Sequence, residues 1–152
     1  MSSGPGIEVK QTGAEAASAS LLMVGERASN VAPVKPALDA VASGDERRRF
    51  DEQGPGWAQL SEETRAIKAA NGLDPRILRA TGALFASLTR MAGGGEEASW
   101  PDTLRFGTDV PYARFHQHGT RNMPKREVVG LSTVAQAEMS RLLETYIAGG
   151  LP

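Results

Sequence analysis

The stretch Pro111-Tyr-Ala-Arg-Phe-His-Gln-His-Gly119 constrains this chain more than any other. Two aromatic rings, both histidines and a stop glycine fall within nine residues, in a chain that is only 5% aromatic. Asp109 and Pro111 open a short helix here, and Gly119 ends it. A second dense element, Met123-Pro-Lys-Arg-Glu-Val-Val-Gly-Leu-Ser132, follows almost at once. The rest of the chain is cut by 17 glycines and 9 prolines, which predicts loops or extended arms. At 152 residues, one domain with a single core is expected.

The same composition narrows the function classes. A net charge of −1 gives no broad attraction to nucleic acid and leaves room only for a local basic patch. With no cysteine there is no disulfide, thiolate metal site or Cys nucleophile, which fits synthesis in a reducing cytoplasm. No apolar run has the length to cross a bilayer, so no membrane partner is expected. The start, Met1-Ser-Ser-Gly-Pro-Gly6, has neither a basic nor an apolar region and is not read as a signal peptide.

Residues 1–12 read as an N-terminal arm, in which Ile7 and Val9 alternate with polar residues and invite strand pairing with a neighbour. Residues 13–152 read as one domain, with 29–46 as an insertion. Ala14, Ala17, Leu21, Leu22 and Val24 predict a helix over 13–29. A short helix over Pro36–Ala42 is closed by Gly44, and Asp45 caps another that ends near Phe50. Ser61 caps a helix that stops at Asn71-Gly72. Asp74-Pro75 starts the next, whose stripe of Ile77, Leu78, Thr81, Leu84, Phe85 and Leu88 runs through Gly82 as a weak point. Alternation over Thr103–Thr108 predicts a strand, paired with Leu88–Ala92 across a long hairpin loop that carries Trp100. Thr133 with Gln136 forms a capping box for a long C-terminal helix, with Val134, Ala135, Met139, Leu142, Leu143, Tyr146 and Ile147 on its apolar stripe. The expected fold is α+β: a small antiparallel sheet packed by several helices, with an extended arm and a hairpin loop.

No catalytic constellation assembles from these residues. His116 and His118, two apart on a helix, point about 200° from each other and do not share a metal-binding face. Gly93-Gly-Gly95 is followed by glutamates, without the Lys and Ser/Thr of a phosphate cradle. No serine has the nucleophile-elbow context. Arg47-Arg-Arg49, flanked by Asp45, Glu46, Asp51 and Glu52, reads as a solvated helix face, with phosphate contact as the alternative. Trp57 reads as a buried loop anchor, and Trp100 as an exposed interface anchor. The expectation is an interaction protein, with no enzymatic activity, no metal and no cofactor.

Four elements in a fixed order then resemble the phage virion morphogenesis family. The first is Phe50-Asp-Glu-Gln-Gly-Pro-Gly-Trp57-Ala-Gln-Leu60-Ser61, with Thr64 and Lys68 in register. The second runs Ile77-Leu78-Arg-Ala-Thr81-Gly82-Ala-Leu84-Phe-Ala-Ser87-Leu88. The third is Gly107-Thr108 followed by Tyr112-Ala113-Arg-Phe-His116-Gln117-His-Gly119. The last is Met123-Pro124-Lys-Arg126, then Gly130-Leu131-Ser132 and a terminal helix. The resemblance covers about residues 47–148. It departs from the family's usual Arg-Pro-Phe-Leu-Gly-Leu, because Arg126-Glu-Val-Val-Gly130-Leu131 stands there instead.

The resemblance implies a structural virion protein, assembled in the host cytoplasm, that completes or caps the head-proximal end of the tail and joins it to the head. It implies a homo-oligomeric ring, six-fold by the usual symmetry of tails. The partners would be the tail tube protein and the head-closure or connector proteins, with genomic DNA touched passively in the lumen. The runner-up is a small DNA-binding regulator acting through Arg47–Arg49. Within the third element, Tyr112 and Phe115 are expected to face the core, while His116 and Gln117 hold the loop around Arg126 by hydrogen bonds.

Overall fold

The computed structural model describes residues 13–90 and 106–149. Among them are six α-helices: α1 (Ala14–Ser29), α2 (Lys35–Asp51), α3 (Glu62–Ala70), α4 (Ala83–Thr89), α5 (Ala113–His118) and α6 (Thr133–Ala148). A short 3-10 turn, Ala32–Val34, precedes α2. Ile7, Val9, Trp100 and the expected hairpin loop lie outside the described residues.

The described residues are helical and contain no strand, which corrects the α+β expectation. The sole β-type pairing among them is an isolated bridge between Thr120 and Met123. Leu88 and Thr89, assigned in advance to a strand, end α4 as buried residues beside Leu84. The helical spacing of Leu84 and Leu88 therefore outweighs the pairing expected between Leu88–Ala92 and Thr103–Thr108. Phe106 packs against the core from an irregular segment, with no ladder to extend.

Three further boundaries differ. Gly44 does not stop a helix, because α2 runs unbroken from Lys35 to Asp51. Ala42, Ser43, Asp45 and Glu46 are buried on either side of Gly44, and this packing outweighs glycine's roughly 1 kcal/mol helix penalty. No helix begins at Asp74, where the Asp74 carboxylate instead accepts from the Arg76 N–H at 2.9 Å in a turn. Gly82 is not a weak point inside a helix. It precedes α4 with φ 78°, a left-handed conformation suited to glycine.

The cap expected at Ser61 is present. Ser61 Oγ accepts from the Thr64 N–H at 3.2 Å to cap α3. The cap of α6 sits one residue before the expected one: Ser132 Oγ accepts from the Ala135 N–H at 3.1 Å. Val134, placed in advance on the buried stripe, is 65% exposed.

Helix α2 joins two apolar clusters. At its N-terminal end Val34 and Leu38 pack with Tyr146, and Met139, Leu142, Leu143 and Ile147 of α6 close over them. At its C-terminal end Phe50 packs with Trp57, Ile77, Leu84, Leu88, Ala113 and Val128. Phe50 meets Trp57 and Phe85 edge-on, with centroids 5.4 and 5.5 Å away. Arg79, buried, stacks over Phe85 at 3.7 Å and pairs with Asp51 at 2.6 Å.

Candidate functional site

The short α5 element places the site. Its Gln117 side chain works as a three-way clamp on the segment after Arg126. Oε1 accepts from the Val128 N–H at 2.8 Å and the Val129 N–H at 3.0 Å, and Nε2 donates to the Val129 carbonyl at 3.1 Å. An irregular segment buried at Val128 has no ladder partners, so a side-chain amide supplies them. Gln117→Ala is expected to cost about 2 kcal/mol, because two backbone donors lose their acceptor. Urea denaturation followed by tryptophan fluorescence would measure it, since Trp57 donates from Nε1 to the Glu127 carbonyl of the same segment at 3.1 Å.

His116 contributes to the same hold through its backbone, whose carbonyl accepts from the Arg126 N–H at 2.8 Å. The Arg126 guanidinium is buried and turns toward Ala58, donating to its carbonyl from Nε at 3.0 Å and Nη2 at 2.8 Å. Gly119 lets the chain reverse between these partners. With φ 74°, a Cβ there would lie 2.9 Å from the Lys125 backbone nitrogen. The expected inward packing of Tyr112 and Phe115 does not occur, because each ring is 42% exposed. Ala113 takes the buried position of this helix instead.

A cavity of about 500 Å³ opens between α3, α4, α5 and the Met123–Arg126 segment. Leu60, Thr81, Leu84, Tyr112, His116 and Arg126 all line it. These are six of the twelve residues that the family resemblance singles out, so their common order in sequence becomes a common location in space. The other six do not line it. Trp57, Gln117 and Gly119 hold neighbouring backbone, and Gly82 precedes α4. The Gly130 N–H and the Leu131 carbonyl bond to Glu46 and Gln136.

The cavity wall is apolar with a few basic groups. Lys68 is buried and donates to the Asp74 and Arg76 carbonyls at 2.9 and 2.6 Å, while burial lowers its pKa. His116 is held below its ordinary pKa by burial and then by the Arg126 charge, so the imidazole is neutral at pH 7. Its Nδ1 is buried and has no hydrogen-bond partner. His118 lies on the exposed side of α5. Among the described residues, no group of three His, Asp or Glu is placed to hold a metal ion.

The Arg47–Arg49 run is exposed at Arg47 and Arg48, as its composition led one to expect, and partly buried at Arg49. Arg47 lies 5.8 Å from the Phe85 ring and Arg48 pairs with Asp45. Arg49 donates to the Gly130 carbonyl at 2.7 Å. The acids beside them are what sequence reasoning missed. Asp45 accepts from the Ser132 N–H at 2.8 Å and hydroxyl at 2.7 Å, and Glu46 Oε1 accepts from the Gly130 N–H at 3.0 Å. Together they tie α2 to the start of α6. Two adjacent acids at the end of an arginine run look solvated in sequence, and only the return of the chain 84 residues later buries them. Burial raises the Asp45 pKa, but the Ser132 bonds and Arg48 outweigh it and leave the net value low. For Glu46, burial dominates over the Gly130 N–H and Arg49 and pushes the pKa up to about 7.

No helix among the described residues is long and apolar enough to cross a membrane. No curated protein and no solved structure matches the chain. The family model of the phage virion morphogenesis family matches residues 12–148, extending N-terminally beyond the elements that carry the resemblance. With most of its length matched, the chain belongs to the phage virion morphogenesis family and has a role in building the phage virion.

Proposed function

We propose that this chain is a structural protein of the phage neck. It completes or caps the head-proximal end of the tail and joins it to the head as a homo-oligomeric ring, six-fold like the tail. Its axial neighbours are the tail tube protein on one side and head-closure or connector proteins on the other. Genomic DNA passes through the lumen with passive contact only.

The observation that carries this reading is the exposed apolar surface of α1. Leu21, Leu22 and Met23 are 72, 70 and 54% exposed in succession, on a helix whose described side chains are exposed except at Arg27. A soluble subunit that spends four turns of helix this way is built to be covered by another polypeptide. Shape complementarity is all that such a role requires, so the chain is read as a non-enzyme. A net charge of −1 lets identical copies approach without large self-repulsion. The DNA-binding alternative is less favoured, because the net charge is near zero and Arg48 and Arg49 already bond to Asp45 and to the Gly130 carbonyl.

Electron microscopy of lysates from phage lacking this protein tests the reading. Completed heads and completed tails are expected to accumulate unjoined. Normal joined particles would overturn it.

A further inference from the structure

The ring reading leaves open which surfaces meet. We propose that the exposed apolar face of α1 in one copy seats in the cavity between α3, α4 and α5 of the next copy. This rests on the self-assembly put forward above.

The first argument is reach. Helix α1, 16 residues and about 24 Å long, is tied to α6 and Tyr146 near its C-terminal end. There Arg27 donates to the Ile147 carbonyl at 3.3 Å, and the Asn30 carbonyl accepts from the Tyr146 hydroxyl at 2.8 Å. Tyr146 belongs to the apolar cluster at the N-terminal end of α2, with Leu38. The cavity shares Ile77 and Leu84 with the cluster at the other end, beside Phe50. From Leu38 to Phe50 the helix rises about 18 Å. The anchor of α1 and the cavity thus lie toward opposite ends of α2, which suits a head-to-tail contact of the kind that closes into rings.

The second argument is complementarity. Leu21 and Leu22 offer aliphatic knobs, and Leu60, Ile77, Leu78 and Leu84 form an aliphatic hole. The two carboxylates of α1, Glu15 and Glu26, form no ion pair among the described residues, and the one arginine of the helix is used at Ile147. The cavity lining contains Lys68 and Arg126 and no acid. Acidic flanks meeting a basic wall favour this pairing over α1 meeting α1, where like charges would face each other. Third, Leu78 on the cavity wall has φ 59°, a left-handed conformation that is strained for a non-glycine residue. Backbone held in that region clusters at ligand clamps and switch regions.

Because the chain has no cysteine, single thiols report the contact cleanly. Leu22→Cys and Thr81→Cys are purified separately, mixed and oxidised at concentrations where native mass spectrometry detects oligomers. A disulfide-linked dimer is expected in the mixture and not in either variant alone. Dimers from Leu22→Cys alone, equal in yield to the mixture, would overturn the proposal in favour of α1 pairing with itself. Oligomers without any cross-link would overturn it while leaving the ring intact. A chain that stays monomeric throughout would count against both. In parallel, Leu21→Glu with Leu22→Glu should keep the monomer's helical signal and weaken association roughly tenfold or more, since the burial of two leucines is lost. Unchanged association would reject α1 as the donor.

Discussion

Gly54→Ala is expected to dismantle the cluster at the C-terminal end of α2. Gly54 follows that helix with φ 80°, and its N–H donates to the Arg49 carbonyl at 2.8 Å. A Cβ there would lie 1.9 Å from Trp57 Cδ2, inside the ring system. The indole cannot yield easily. It is 6% exposed, meets Phe50 edge-on and donates to the Glu127 carbonyl. Expelling it forfeits a buried aromatic, worth about 3–5 kcal/mol, and the left-handed backbone adds roughly 1 kcal/mol. Against a total stability of about 5–15 kcal/mol, that removes much of the margin. Thermal denaturation should show a midpoint lower by roughly 10–20 °C, with red-shifted tryptophan emission. Gly56→Ala is the matched control. It also has positive φ, 75°, but no atom lies within 4 Å of its added methyl, so it carries only the backbone cost. Equal midpoints for the two variants would show that Trp57 is not seated against Gly54.

The second large effect is a pH dependence set by Glu46. Its side chain is fully buried, Oε2 has no hydrogen-bond partner, and its pKa is pushed up from 4.5 to about 7. The folded state therefore binds a proton that the unfolded state has already released between pH 4.5 and 7. Stability from this group is greatest below 4.5 and declines as pH rises through about 7, by about 3 kcal/mol in total. Asp45 has the opposite sign: its lowered pKa favours folding above the ordinary carboxylate range and loses that benefit as pH falls through its folded value. The junction between α2 and α6 should be firmest in mildly acidic solution. Glu46→Gln keeps an oxygen for the Gly130 N–H and removes the charge. It is expected to raise stability at pH 8 by about 2–3 kcal/mol and to flatten the profile between pH 5 and 8. Chemical denaturation at both pH values checks this, and an unchanged slope would show that Glu46 does not titrate across that range.

Much of this was readable from local chemistry. Ser61, Asn71-Gly72 and Gly119 mark helix ends through neighbouring atoms and lie where those rules place them, whereas Pro111 stands two residues before α5 and not at its first position. The elements whose fate depends on distant packing were not readable. Gly44 continues a helix because residues around it are buried against other segments, and Leu88 chooses a helix because Leu84 and the Phe50 cluster lie on the same side. The cavity was legible as an order of motifs, yet their meeting point was not. Tyr112 and Phe115 show the limit most directly. Two rings in a ring-poor chain look like core, and both are half in water. Asp45 and Glu46 were hidden for the converse reason, since composition cannot reveal that an acid has a backbone N–H waiting across the fold.

Helix α2 also has a mechanical meaning. A sheet or a jointed pair of helices would let its two ends yield separately, but an unbroken rod of 17 residues does not. Any push on Val34 arrives at Phe50 as a shift of the whole shaft. In the proposed ring, a subunit so braced would pass force from one neighbour to the next, as a washer does in a coupling under load.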